Sequence, residues 1–261
     1  MEKILLGRTF VEEKLASDHP NEKIRAELDI LTERAYMMYR PRVLSRLIDM
    51  KLKMGDDPVY LSWRLAERGG FTNLFVVSHD EPGLFAKIAG VLSANNVNIL
   101  GAQILTRKDG VVFDVLHVTD SVMKPIKDKV KNRIVNRELK KAVAGELDVD
   151  ELFKNRNLSL PLDRRDRALA IPPKVEIQND ISDEHTVIDI YATDRIGLLY
   201  QITSTLAALG LSIYTAKVST KVDQAVDVFY VKDLDGLKVT EPEKLVRIKE
   251  TLLGVLTQEE T

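Results

Sequence analysis

Apolar positions in residues 1–56 recur at helical spacing. Ile24, Leu28 and Leu31 share one face after a helix start at Ser17-Asp18-His19-Pro20. Pro41 interrupts this run, and Val43, Leu44, Leu47, Ile48 and Leu52 then form a second stripe that stops near Gly55. From Val59 the period drops to two. Val59, Leu61, Trp63 and Leu65 alternate with Tyr60, Ser62 and Arg64, Gly69-Gly70 supplies a turn, and Leu74 to Val77 continue, which predicts a β-hairpin over 59–66 and 72–78. The phase of Trp63 with Leu61 predicts a substantially buried indole. Leu84, Ile88, Val91 and Leu92 return to helical spacing, strands follow over about 97–106 and 111–118, and a helix is expected over about 123–144.

The same pattern then repeats. Asp80, Gly83, Leu84, Ile88, Leu92, Asn98, Ile99, Ala102 and Thr106 find counterparts at one constant offset in Asp194, Gly197, Leu198, Ile202, Leu206, Ser212, Ile213, Ala216 and Thr220. The leading strand belongs to the repeat as well, because Leu61 and Trp63 stand at that offset from Val175 and Ile177. Each copy therefore reads ββαββα. A leading strand joined by a hairpin to the next takes the position that a final strand holds in a βαββαβ sandwich. The expected fold is α+β: two sandwiches, each a four-stranded antiparallel sheet with two helices on one face, after a helical segment. The expected boundaries are 1–56 for the helical segment, 57–145 for module 1, 146–171 for a charged connector and 172–258 for module 2. In the connector, Arg156, Arg164, Arg165 and Arg167 form either a solvated linker or a basic docking strip.

Composition narrows the chemistry. The 38 basic and 40 acidic side chains leave a formal charge of -2, so no global field favours nucleic acid or an anionic membrane. There is no cysteine, which excludes disulfides, thiolate nucleophiles and thiolate metal sites. No apolar run approaches the roughly 20 residues of a membrane span, and the start, Met1-Glu2-Lys3, is too soon charged to read as a signal peptide. A cytoplasmic location is expected. The four histidines are widely spaced, and His79-Asp80 has no partner histidines, so no metal site is expected.

The sharpest local signal is the turn Asp80-Glu81-Pro82-Gly83-Leu84 and its copy Asp194-Arg195-Ile196-Gly197-Leu198. Each glycine stands between a strand end and a helix start, where the first helical N–H groups lack partners and can receive a carboxylate. Asp80 or Asp194 could accept from an ammonium group. A capped structural turn is the competing reading, and the repetition of Asp and Gly favours a ligand. The candidate ligand-binding residues are Asp80, Pro82, Gly83, Leu84, Asn98 and Ile99 in the first copy. In the second they are Asp194, Arg195, Gly197, Leu198, Ser212 and Ile213. Pro82 stiffens the first loop and Arg195 adds a cation to the second.

This pattern resembles the ACT domain, a ferredoxin-like module that works in pairs and binds amino acids between copies. Gly83-Leu84-Phe85-Ala86-Lys87-Ile88-Ala89, Asn98-Ile99-Leu100-Gly101-Ala102-Gln103-Ile104 and Phe113-Asp114-Val115 look like the first ACT module of the protein-PII uridylyltransferases. Ala216-Lys217-Val218 and Asp227-Val228-Phe229-Tyr230-Val231-Lys232-Asp233 look like the second. The resemblance covers about residues 58–257. It implies a regulatory region that senses an amino acid, glutamine above all, with ACT modules pairing with each other or with a second copy and the PII signalling protein as partner. It also implies that Mg and UTP belong to a catalytic domain outside this chain. The chain has no Gly-Ser dipeptide, Asp148-x-Asp150 and Asp233-x-Asp235 lack the nucleotidyl-transfer context, and no histidine cluster exists. No catalytic residue and no cofactor are therefore expected here. A stand-alone ACT-repeat protein without catalysis is the alternative. A nucleic-acid platform is disfavoured because Asp114 and Asp227 would stand on the central strands and repel phosphate.

Overall fold

The computed structural model describes residues 2–66, 69–156, 172–193, 195, 197–221 and 224–257. The alternating run from Val59 forms β1 (Val59–Leu65), which pairs antiparallel with β2 (Thr72–His79) from Val59↔Ser78 to Leu65↔Thr72. After α5 (Leu84–Ala94), β3 (Val97–Thr106) and β4 (Val111–Asp120) complete a sheet in the order β1-β2-β4-β3. Module 2 repeats this with β5 (Lys174–Gln178), β6 (Thr186–Thr193), α8 (Leu198–Ala208), β7 (Leu211–Lys221) and β8 (Gln224–Asp233), in the order β5-β6-β8-β7. In both modules the leading strand fills the edge that a final strand would otherwise take. The fold is ferredoxin-like and permuted, as the repeat pattern requires.

The two sheets are one. β3 and β7 pair antiparallel through Gly101↔Ser219, Ala102↔Val218 and Gln103↔Lys217, giving the order β1-β2-β4-β3-β7-β8-β6-β5. Gly101 permits this approach: a Cβ there would lie 3.1 Å from the Val218 carbonyl oxygen. Gln103 and Lys217 occupy the same position in the two repeats, so the ladder pairs a position with its own copy. A pseudo-twofold axis therefore runs between the modules.

One face of the joint sheet carries α5, α6 (Lys129–Val143), α8 and α9 (Pro242–Thr257), which share a single apolar core. α6 starts later than the periodicity suggests. Met123 has φ +58°, and the Asp128 carboxylate accepts from the Val130 N–H at 2.7 Å, setting the cap. Trp63 is substantially buried as its phase predicts: it packs against the core, and its Nε1–H donates to Asn136 Oδ1 of α6 at 2.7 Å.

The opposite face of module 1 is covered too. Helices α1 (Glu2–Leu15), α2 (Asn21–Ile30), α3 (Glu33–Met38) and α4 (Pro41–Met54) pack Leu44, Leu47 and Ile48 against Phe75, Val77, Phe113 and Val115. The Tyr39 hydroxyl donates to the Phe113 and Gln103 carbonyls at 2.6 and 3.2 Å. Arg107, whose side chain is 1 % exposed, meets Glu27 of α2 at 2.5 Å and Asp109 at 2.7 Å, with its guanidinium over the Phe113 ring.

The segment expected as a charged connector opens with a helix, α7 (Val149–Arg156), capped by Asp148, which accepts from the Glu151 N–H. Arg156 is paired with Glu138 at 2.9 Å, while Arg164, Arg165 and Arg167 lie outside the described residues.

Replacing Arg107 by Met should strand the largely buried Glu27 carboxylate. Loss of one partner of a buried pair costs about 3–5 kcal/mol, and urea unfolding followed by circular dichroism should show a midpoint lowered accordingly. An unchanged midpoint would mean that the pair does not hold the helices to the sheet.

Candidate functional site

Between β2 and α5 the chain turns through Gly83, whose φ of +77° only glycine adopts without strain. Gly197 repeats the conformation at φ +89°. The Asp80 N–H donates to the Gly110 carbonyl at 2.7 Å, tying the turn to the β3–β4 hairpin. Glu81 is held by Lys87 at 2.8 Å. The turn and the first residues of α5 form one wall of a recess with about 420 Å³ of space, its open mouth included.

The floor comes from β3 and β4, through Ile104, Thr106, Val112 and Asp114. The far wall belongs to the other module: Thr203 and Ala207 of α8, and Leu211, Ser212 and Ile213 at the start of β7. A Cβ on Gly83 would stand 3.6 Å from that of Ala207. The recess thus exists only because β3 and β7 join the modules.

Asp114 decides its chemistry. It is 1 % exposed; Oδ1 accepts a long bond of 3.4 Å from the Leu105 N–H, and Oδ2 has no partner. Burial pushes this carboxyl well above the usual range, and the nearby Asp80 adds to the shift. Asp80 stands at the exposed mouth. Desolvation by its surroundings raises it, against bonds from Thr106 and the Glu81 N–H. Two acids on one recess, one lacking a donor, suit a ligand that brings a cationic N–H group. Among the described residues, no group of three His, Asp or Glu could hold a metal ion, and no helix is long and apolar enough to cross a membrane.

Residues 72–135 match the ACT domain, and 174–259 match the ACR9-like, ACT-like domain. The chain belongs to the ACT-domain family, in two copies. It is also 39% identical over 196 residues to the bifunctional uridylyltransferase/uridylyl-removing enzyme of Gluconobacter oxydans, covering 75% of this chain and 20% of that protein. The protein of the same name from Azospirillum brasilense is 37% identical over 216 residues, covering 81% of this chain and 22% of its own length. The chain thus spans about one fifth of these relatives. The solved aspartate kinase from Synechocystis aligns at 17% identity with a TM-score of 0.38, over 70% of this chain and 26% of that one.

Within the ACT pair the expected site residues are distributed differently from the sequence reading. Asp80, Gly83 and Leu84 line the recess together with Ser212 and Ile213 of the other copy. Pro82 is exposed beside it. Asn98 and Ile99 do not line it: the Asn98 side chain contacts Met123 at 3.4 Å, and Ile99 is buried in the core. The first loop faces the partner module, because the twofold axis places the strand start of the other copy opposite it. Gly197 and Leu198 are buried, and Arg195 donates to Gln201 Oε1 at 2.6 Å. Asp194 lies outside the described residues.

Asp114, Thr203 and Ala207 escaped the sequence reading as site residues. Asp114 and Asp227 are both buried, so they do not face solvent as the comparison with nucleic-acid platforms supposed. Asp114 pairs with Val76, and Asp227 pairs with Ile190, its repeat counterpart. A carboxylate repeated inside two apolar strands was the available signal.

Asp114 has a pH consequence with a definite sign. Its folded pKa is raised, so the folded state holds a proton that the unfolded chain releases near pH 3.8. Stability is therefore lost as pH rises above that value toward the folded pKa. Asp114→Asn should match the parent near pH 3.5 and become progressively more stable than it toward pH 7 in urea titrations. A difference independent of pH would refute a protonated Asp114.

Proposed function

We propose that this ACT pair is the effector-sensing region of a uridylyltransferase/uridylyl-removing type of nitrogen regulator, and that the recess between its copies takes free glutamine. The observation that carries the reading is the unpartnered, buried Asp114 oxygen on the floor of a recess whose wall is a helix start. An α-amino acid answers both features. Its ammonium group meets Asp114 and Asp80, and its carboxylate meets the N–H groups that follow Gly83. The side chain then runs toward Ser212 and Thr203, whose hydroxyls suit an amide. A glutamate would place a further negative charge in a recess that already holds two acids, which favours the neutral amide.

A ligand seated here touches both modules at once, so its binding free energy stabilises their union. That is how effector occupancy in this region would reach the rest of a larger enzyme. Transfer and removal of uridylyl groups, the Mg and UTP they require, and recognition of a PII-type protein would reside in parts that this fifth of the relatives' length does not include. A cytoplasmic setting accords with sensing a free metabolite.

Thermal melting with L-glutamine tests the reading. At about 100 times the dissociation constant, binding should add about 2.7 kcal/mol of stability. L-glutamate and N-acetylglutamine at the same concentration should leave the melting temperature unchanged. Asp80→Asn should weaken glutamine at least about tenfold, the loss expected when a charge-assisted bond is removed. A melting temperature indifferent to glutamine, or equal affinity in Asp80→Asn, would overturn the assignment.

A further inference from the structure

We infer that helix α7 occupies a second effector site, the twofold mate of the open recess, so that the chain takes one amino acid where its symmetry provides for two. The inference rests on reading the open recess as an amino-acid site. Gln103 and Lys217 pair with each other across the joint and are repeat counterparts. A contact that the first loop makes with module 2 therefore has a mate between the second loop and module 1. Gly83 faces Ala207, whose Cβ would lie 3.6 Å from a Cβ on Gly83, and the counterpart of Ala207 is Ser93 in α5. The mate site thus lies between Gly197 and the end of α5. It carries a glycine at positive φ, Gly197, and a buried acid, Asp227.

That space is filled by the chain itself. A Cβ on Gly197 would stand 2.7 Å from Cζ of Phe153, against 3.6 Å to Ala207 at the first site. Phe153 is 8 % exposed, with its ring centroid 4.8 Å from that of Tyr200. Tyr200 is the counterpart of Ala86, which lines the open recess, so the aromatic ring that seats α7 stands where the first copy keeps a methyl group. The seat is shaped for this helix: a Cβ on Gly90 would lie 2.3 Å from Val149. Both ends are pinned, by the Tyr200 hydroxyl donating to Asp150 and by Arg156 on Glu138 at 2.9 and 3.0 Å. The rim is altered too. The Glu81–Lys87 ion pair becomes Arg195 donating to Gln201 at the same two positions.

The latent site belongs to the same ligand class, a free amino acid, and α7 competes for it. Isothermal titration of the full 261-residue chain with L-glutamine reads this directly. The parent should bind one equivalent and Phe153→Ala two. In the double variant Asp80→Asn/Phe153→Ala one of the two equivalents should weaken at least about tenfold, leaving the tighter one at the released site. Should Phe153→Ala not fold, Arg156→Glu, which sets a second carboxylate against Glu138 at the exposed end of α7, carries the same expectation of a second equivalent. One equivalent in the parent and in the α7 variants alike would overturn this inference alone, as would two in the parent. No binding by any of the proteins would overturn the amino-acid reading and this inference together.

Discussion

Three residue pairs between β3 and β7 set the position of everything functional in this molecule. Without them each module would be a small sandwich with a raw strand edge, which is a liability in water. With them the β3 and β7 edges pair, the sheet becomes continuous, and the helices of both modules pool their apolar faces into one core. The recess is a by-product of that union, since neither module supplies more than part of its walls. The contact also depends on a missing side chain, because a methyl group at Gly101 would press on the Val218 carbonyl.

The buried Asp114 is expensive for the unliganded fold, and such local conflicts gather where proteins bind. The surrounding residues do little to relieve it. The Leu105 N–H is distant, Thr106 turns toward Asp80, and Thr203 gives its proton to the Leu199 carbonyl at 2.8 Å. A polar group left wanting among satisfied neighbours is a different signature from a packing defect, which would be lined with apolar atoms.

Much of the fold was legible because repetition doubles every signal. The permuted strand order followed from the alternation at Leu61 and Trp63 matching that at Val175 and Ile177. The turns followed from Gly83 and Gly197, which sit where backbone geometry leaves few alternatives. The quaternary-like aspects were not legible. Nothing in the local pattern of Asn98-Ile99 or Ser212-Ile213 says which copy's loop they face, because that depends on an axis created by strands far apart in sequence. α7 was hidden for the opposite reason: its charged composition masks two apolar contacts, Val149 and Phe153, that are decisive in space. The start of α6 was misplaced because the cap at Asp128 overrides the apolar spacing before it.

The Tyr39 hydroxyl shares its single proton between two carbonyls, those of Gln103 and Phe113. One belongs to the pair on the pseudo-twofold axis, and the other to the residue just before Asp114. The phenol is wholly enclosed, and burial holds its pKa well above the ordinary tyrosine value, so it stays a donor. β3 and β4 are thereby fastened, at the height of the joint, to the helices behind them. Any sliding of one strand against the other must alter a shared bond whose two arms measure 2.6 and 3.2 Å. The amino-terminal helices are in this sense a strain gauge on the back of the sheet, reading the spacing of the strands whose other side holds the recess.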